Sequence, residues 1–421
     1  MSGAPRVQLL SHFGPPVQGL SPYADALLAA LHAHGGVDVA PVGYRAAYPG
    51  WLHPAQAGAA AGTDGVHWAD PRTWRRVADA PADVLHIQHW QPALAAYLAP
   101  LARQAARRGK RIVVTVHNPE PHEPLPGLRA LERRLLDPAD TLLVHDARGR
   151  DALLARLGGS RDVRVVAHGI DVAASPPAER EGDRALLGLA PGRRLVSLFG
   201  NLRGYKGVPV LLDAWARIAA RHPDTDVVIA GRLWTGRGGL VTRAVARVLG
   251  TAGESARIAA AMAHPALAGR VHLREGFLPD AAIDALLRAS ALAVFPYERF
   301  ASQSGAASRA GGQGVPMLVS DVGGLPRLAI GPGWIVPPGD AAALAAALDA
   351  RLAEGPGAEA RTSQLAALSE FAWPRVAAAH VDVYRSASPA GQSRKHWLGY
   401  HRRSACSSGA GTKPPSRVSQ W

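Results

Sequence analysis

Two short loops carry the residues best suited to bind an anion. One has the sequence Gly200-Asn-Leu-Arg-Gly-Tyr-Lys-Gly207, which combines three glycines with two cations, Arg203 and Lys206. The other, Ser302-Gln-Ser-Gly305, contains only small or polar residues. Small residues let a phosphate approach the backbone, while arginine and lysine neutralise its charge. The two loops predict a diphosphate cradle, and the alternative is an ordinary βα connection with a solvated basic turn.

Each loop lies between a predicted buried strand and a predicted helix. The runs Arg194–Phe199 and Ala291–Pro296 lack polar alternation and are bounded by turn residues, which is typical of parallel strands. Helical segments follow at Val208–Ala220 and Ala306–Ala310. Each loop therefore leaves the carboxyl end of a strand and opens a helix, where unpaired N–H groups and the helix dipole favour an anion.

Histidines end several predicted strands in the first half of the chain. These strands are Val7–Phe13, Asp83–His89, Arg111–His117, Thr141–His145 and Asp162–Ala167. Open α/β sheets bind ligands beyond the carboxyl ends of their strands, so His117 and the polar loop after it are candidates for a site. His86 with His89, or His122 with Glu123, could mimic metal ligands. No third ligand is evident, so we do not predict a metal site.

Ordered motifs in the second half resemble the donor-binding half of family-4 (group 1) glycosyltransferases, which have the GT-B fold. Gly314-Val-Pro316, Ser320-Asp-Val-Gly-Gly-Leu-Pro326 and Pro337-Pro-Gly-Asp340 match the family in order and spacing. Arg203-Gly-Tyr-Lys-Gly207 is similar to a variant of the family's phosphate loop. The subset with Ser-Gln-Ser-Gly in its second loop fits better than the subset with two glutamates. The resemblance covers nearly all of residues 5–385.

The resemblance implies an α/β protein of two Rossmann-like domains that face each other across a cleft. It implies a retaining transferase that moves a sugar from a nucleotide diphosphate sugar to a glycan, lipid-linked or small-molecule acceptor, as in polysaccharide biosynthesis. Neither a metal nor another cofactor is expected. The implied catalytic residues are His117, Lys206 and Arg203. The implied substrate-binding residues are Gly19, Glu298, Ser302, Gln303, Ser304 and Gly305.

The predicted organisation follows from the two βα series. Residues 1–175 form an acceptor-side domain, 176–192 a linker rich in proline, glutamate and arginine, and 193–370 a donor domain. Residues 371–385 resemble the family's last helix, which crosses back to the first domain. After residue 385 the apolar periodicity stops, so 386–421 are predicted to be a disordered basic tail.

Two arginines and one asparagine differ from the better-known family pattern. Arg309 and Arg327 stand where glutamates are usual, and Asn201 replaces an arginine of the phosphate loop. Glu298 lies near the position of the first glutamate but out of register. These departures keep a second hypothesis open, a catalytically inactive GT-B protein that acts as a binding or scaffold partner.

The composition of the chain limits which other kinds of function and which cellular compartments are expected. The chain of 421 residues carries a net charge of +14, and part of this excess is the acid-free tail. No helix-turn-helix, zinc finger or aromatic-basic pattern supports a nucleic-acid partner. The single Cys406 excludes an internal disulfide framework. Without an apolar run of membrane-spanning length or a signal segment, we expect a cytoplasmic protein, and peripheral contact with an anionic membrane at its inner face stays open.

Overall fold

The computed structural model describes residues 3–14, 20–49, 65–119, 127–158, 160–180, 182–232, 254–300 and 303–386. The predicted sites Gly19 and Ser302, the pair His122 and Glu123, and the tail from residue 387 lie outside these ranges. Within them the chain forms two parallel six-stranded sheets, each with a hydrophobic core on both faces. This architecture confirms the predicted α/β fold.

The first sheet has the strand order β2-β1-β5-β6-β7-β8, with β3 and β4 paired apart from it. Its strands are β1 (Arg6–Leu10), β2 (Asp38–Val42), β3 (Tyr44–Ala46), β4 (Val66–His67), β5 (Val84–His89), β6 (Arg111–Val116), β7 (Thr141–Val144) and β8 (Val163–Val165). The helices of this half are α1 (Leu20–His34), α2 (Pro71–Asp79), α3 (Ala95–Arg107), α4 (Leu128–Leu136) and α5 (Ala147–Leu157). The central strands are almost fully buried, which explains their apolar runs.

The second sheet has the order β11-β10-β9-β12-β13-β14. Its strands are β9 (Arg194–Phe199), β10 (Thr225–Gly231), β11 (Val271–Glu275), β12 (Leu292–Phe295), β13 (Met317–Ser320) and β14 (Ile335–Val336). Its helices are α6 (Asp183–Leu186), α7 (Val208–Ile218), α8 (Glu254–Met262), α9 (Asp280–Ala289), α10 (Gly305–Gly312), α11 (Ala341–Glu354) and α12 (Ala358–Ala367). The chain runs outward from β9 to β11 and then returns to β12 beside β9. The crevice between the carboxyl ends of β9 and β12 is therefore the switch point where such sheets bind ligands.

The last described helix, α13 (Trp373–Arg385), packs against α1 of the first half. Its Tyr384 hydroxyl bonds to His86 of β5 at 2.6 Å, and the segment before it pairs with the first half through Ile170 and Ala372. Phe371, just upstream, is buried in the core of the second sheet. Residues 371–385 thus join the two halves. No helix of the described residues is long and apolar enough to cross a membrane.

Candidate active site

The two predicted anion-binding loops form one unit at the switch point. After β9 the chain makes a 3-10 turn over Gly204–Lys206, and Gly207 follows with a φ of +68°. A Cβ on Gly207 would clash with the carbonyl oxygen of Pro296, so only glycine lets this turn pack against the segment that leaves β12. The Glu298 N–H donates to the Tyr205 carbonyl at 2.9 Å and closes the contact.

Lys206 is a buried cation in an aromatic cage. The residue is 7% exposed, and its Nζ lies 3.8 Å from the ring centroid of Tyr297 and 5.2 and 5.5 Å from those of Tyr205 and Phe300. The ammonium also donates to the Tyr297 hydroxyl. Burial first, and then the charge of Arg203, lowers the pKa of Lys206 from its usual 10.5 to about 7. In the described ranges no carboxylate forms an ion pair with it, so an anionic ligand would stabilise its charged form.

Ser304 connects this lysine to the second loop. Its Oγ shares a 2.8 Å hydrogen bond with the Tyr297 hydroxyl and accepts from the Ala307 N–H at 3.3 Å, which caps α10. The next residue, Gly305, is exposed, and no heavy atom of the described residues, apart from its chain neighbours and its own helix backbone, lies within 4 Å of the position of a Cβ on it. Among the described residues, the amino terminus of α10 is therefore accessible at Gly305, beside the Lys206 cage, which suits an anion.

His117, at the carboxyl end of β6, uses both ring nitrogens inside the first half. Nε2 lies 2.6 Å from Gln88 Oε1, and Nδ1 lies 3.0 Å from Nε2 of His145. Burial, reinforced by the neighbouring histidines His145 and His168, lowers the pKa of His117 well below its usual 6.5. The ring is thus held neutral, and it can bind a ligand through nitrogen only by exchanging one of these bonds.

The histidines that could mimic metal ligands belong to separate networks. His86 bonds to Thr115 and Tyr384, whereas His89 lies 2.9 Å from Glu132 of α4 on the opposite face of the sheet. The difference follows from the two-residue period of a strand, since these residues are three apart. Across the residues that the structure describes, no group of three His, Cys, Asp or Glu side chains could hold a metal ion.

Of the departures from the family pattern, the two arginines have structural partners. Arg309 is bound on α9, with ion-pair distances of 2.6 Å to both Asp280 and Asp284. Arg327 donates from Nη1 to the His145 carbonyl of the first half at 2.7 Å. Asn201, like the predicted residues Arg203 and Glu298, is exposed.

Two contributors were missed by sequence reasoning. Tyr297 extends the apolar run of β12, and a polar aromatic residue at a strand end is a signal that could have found it. Asp146 accepts a 2.7 Å hydrogen bond from Gln303 Nε2, across the two halves of the chain. Nothing local in the sequence indicates this partner, because 157 residues separate the two side chains.

Both halves of the chain match known family models. Residues 17–174 match the model described as Glycosyltransferase Family 4, and residues 193–354 match the model described as Glycosyl transferases group 1. D-inositol 3-phosphate glycosyltransferase of Mycolicibacterium gilvum is 31% identical over 263 residues, which cover 58% of this chain and 52% of that protein. The corresponding protein of Rhodococcus opacus is 28% identical over 58% of this chain and 53% of its own length. The chain thus spans about half the length of these curated relatives.

Solved structures share the fold over most of the chain. Anabaena Alr3699/HepE, determined with UDP-glucose, superposes with a TM-score of 0.64 at 15% identity, covering 91% of this chain and all of that one. A trehalose-phosphate synthase of Burkholderia xenovorans superposes with a TM-score of 0.61 at 16% identity, over 90% of this chain and all of that one. The two matched family ranges together span most of the sequence, and the chain belongs to the group 1 glycosyltransferases with the GT-B fold.

Proposed function

We propose that the protein is a retaining, metal-independent glycosyltransferase that moves a sugar from a nucleotide diphosphate sugar to a glycan, lipid-linked or small-molecule acceptor. Residues 1–175 would form the acceptor side and 193–370 the donor side. The Ser-Gln-Ser-Gly loop would contribute to the donor site. HepE supports a nucleotide sugar as the donor class, because its structure was determined with UDP-glucose.

The observation that carries this proposal is the buried ammonium of Lys206, which forms no ion pair with a carboxylate among the described residues. An uncompensated buried cation is costly unless a ligand supplies the opposite charge. The cage opens beside the amino terminus of α10, at the switch point of the second sheet. A diphosphate placed there would be stabilised by the positive charges of Lys206 and Arg203 and would accept hydrogen bonds from N–H groups of the helix.

The barrier in such a reaction lies in parting a glycosyl cation from the diphosphate. Lys206 and Arg203 would stabilise the charge that develops on the leaving phosphates, which is the work a divalent metal does in other transferases. In the described part of the chain we assign no carboxylate as nucleophile. A donor phosphate oxygen would then take the acceptor proton while the acceptor oxygen bonds to the anomeric carbon. Because this bond forms on the face from which the diphosphate leaves, the anomeric configuration is retained.

His117 would position the sugar from the opposite half. Its neutral ring would exchange the bond to Gln88 or His145 for a sugar hydroxyl when the donor binds. Gly19, Glu298 and Ser302 keep their proposed roles in substrate binding from the family resemblance alone, since Glu298 is exposed and the other two lie outside the described residues.

An arginine-rich surface, here called the arginine face, supports peripheral contact with an anionic membrane. Helix α3 packs against α2 and α4 on one side of the first sheet. Their exposed arginines are Arg72, Arg75, Arg76, Arg107, Arg129, Arg133 and Arg134, and Arg108 follows α3. Two of these arginines also form ion pairs, Arg108 with Asp79 and Arg133 with Asp137. Trp68, 37% exposed, precedes α2 and suits a lipid interface.

Cosedimentation with phosphatidylglycerol vesicles should fall as salt rises and should fail with phosphatidylcholine, whereas equal binding to both lipids would contradict the proposal.

Turnover of donor sugars tests the function. The purified chain should slowly hydrolyse at least one member of a nucleotide-sugar panel, with or without a chelator of divalent metals. The scaffold hypothesis instead predicts no turnover of any donor. A donor that binds by calorimetry without being cleaved would favour a binding protein, and complete dependence on added metal would reject the proposed mechanism.

A further inference from the structure

The dipeptide His145–Asp146, directly after β7, contacts both halves of the candidate active site. Both residues are buried, and they bond to His117 on one side and to Gln303 and Arg327 on the other. We propose that Asp146 and Arg327 are positioning residues, which hold the Ser304–Gly305 loop in a fixed place relative to His117. This inference rests on the proposed function of the same site.

Asp146 connects its own helix to the anion-binding loop. Its Oδ1 accepts from the Gly149 N–H at 2.6 Å and caps α5, while Oδ2 accepts from Gln303 Nε2 at 2.7 Å. A Cβ on Gly324 would clash with the Gln303 amide, so this glycine provides the space in which the glutamine lies. The carboxylate therefore fixes the residue that immediately precedes Ser304.

Arg327 makes a second connection from the neighbouring turn. Its Nη1 donates to the His145 carbonyl at 2.7 Å, its guanidinium lies 4.8 Å from the ring centroid of Phe371, and Nη2 lies 3.4 Å from Glu370. A planar guanidinium held by a carbonyl, an aromatic ring and a carboxylate has little freedom to turn. The residue that departs from the family's glutamate thus docks the second half onto the first.

The same dipeptide also contacts His117, so it connects the position of the loop to that of the His117 ring. His145 donates from Nδ1 to the Val166 carbonyl at 3.1 Å, and its Nε2 lies 3.0 Å from Nδ1 of His117. A shift of the dipeptide therefore moves the ring that we propose to face the sugar. Since a misplacement of about 1 Å can slow a reaction about a hundredfold, these contacts matter for turnover more than for binding.

Variants can separate positioning from folding. Asp146→Ser keeps a capping hydroxyl for α5 but is too short to reach Gln303. Asp146→Asn keeps the reach, because the Gln303 amide can turn to accept from it. Arg327→Met keeps an apolar side chain against Phe371 but removes the donors, and Arg327→Lys restores one donor. Arg148→Gln is the matched control, because the Arg148–Asp321 ion pair of 2.7 Å also joins the halves but both side chains are more than half exposed.

The experiment measures kcat and KM for the donor, UDP affinity by calorimetry, and the thermal unfolding midpoint of the full chain. Asp146→Ser and Arg327→Met should lower kcat about tenfold or more, with UDP affinity and the midpoint nearly unchanged. Asp146→Asn, Arg327→Lys and Arg148→Gln should stay near wild type. If Asp146 acts by holding Gln303, the effect of Asp146→Ser should disappear in a Gln303→Ala background.

Two results would overturn the inference while the proposed function stands. One is an active wild type whose Asp146→Ser and Arg327→Met variants keep full kcat. The other is a loss of kcat that follows the thermal midpoint and that the conservative variants do not restore, since this indicates a structural role. A wild type without turnover of any donor rejects the proposed function, and the positioning roles fall with it.

Discussion

Replacing Lys206 by methionine should stabilise the free protein. Burial lowers the pKa of Lys206 from its usual 10.5 to about 7. A tenfold change in a protonation equilibrium is worth about 1.4 kcal/mol, so keeping this ammonium charged at pH 6 costs the fold up to about 5 kcal/mol. Cation–π attraction between Nζ and the surrounding aromatic rings offsets about 2 kcal/mol of this cost. Lys206→Met, which keeps the volume of the side chain, should therefore raise the free energy of unfolding by about 1–3 kcal/mol.

The same substitution should damage turnover. A charge-assisted hydrogen bond to phosphate is worth about 1.5–3 kcal/mol, so its loss in the transition state should lower kcat by about tenfold to a hundredfold. Urea unfolding of the free protein and donor hydrolysis measure the two effects on the same samples. Lys110→Met is the matched control, because this lysine is also buried but bonds to Gln8 and the Val77 carbonyl at the amino end of β6, away from the cleft.

Opposite signs in stability and activity are the diagnostic result for Lys206. Burial also lowers the pKa of Lys110, to about 8, so removing its charge contributes some stability, but its two buried acceptors lose their donor. Lys110→Met should therefore show a smaller gain in stability than Lys206→Met, or none, and should keep its turnover. A Lys206→Met protein that is less stable than wild type and fully active would contradict this prediction, since the lysine would then be a structural residue with no role toward an anion.

Three further predictions concern the pH dependence of stability, the role of Arg309 and the contribution of Arg203 to turnover. Burial lowers the pKa of His145 and His380 to about 4, below the 6.5 of the unfolded chain, so the unfolded state binds more protons between these values. The free energy of unfolding should therefore fall by about 1.4 kcal/mol per pH unit and per histidine as pH drops below 6.5, and a flat urea-unfolding profile would contradict this. Arg309→Gln should lower stability by about 1 kcal/mol and leave the donor KM unchanged, whereas a raised KM would place Arg309 at the donor. Arg203→Ala should reduce donor turnover, but less than Lys206→Met because Arg203 is exposed, and a larger loss would reverse this ranking.

Local sequence patterns were sufficient for the strands that carry the site. The predicted run Arg194–Phe199 has the bounds of β9, and Ala291–Pro296 contains β12. The edge strand β2 was missed because it contains Pro41, which a strand tolerates only where its missing N–H is not needed. Apolar runs identify buried central strands, whereas an edge strand is defined by its neighbour and not by its own composition.

The candidate site was only partly predictable, because the contacts that hold its residues in place join side chains that are far apart in the sequence. Glycine and charge patterns predicted Lys206 and the Ser304–Gly305 loop as site residues, which remains a prediction. Arg327 could only be described as a departure from the family, because its acceptor, the His145 carbonyl, is 182 residues away. The engagement of both nitrogens of His117 was likewise invisible, because it depends on how three neighbouring strands align side by side.

Metal-free, retaining transfer that depends on Lys206 can be tested by hydrolysis of nucleotide sugars in the presence of EDTA, with the anomeric configuration of the released sugar read by NMR before it equilibrates. We expect wild type to cleave at least one donor without metal and to release the sugar with the donor's configuration, and Lys206→Met to do so at least about tenfold more slowly. Inversion of configuration, a strict metal requirement, or equal rates for the two proteins would contradict this mechanism.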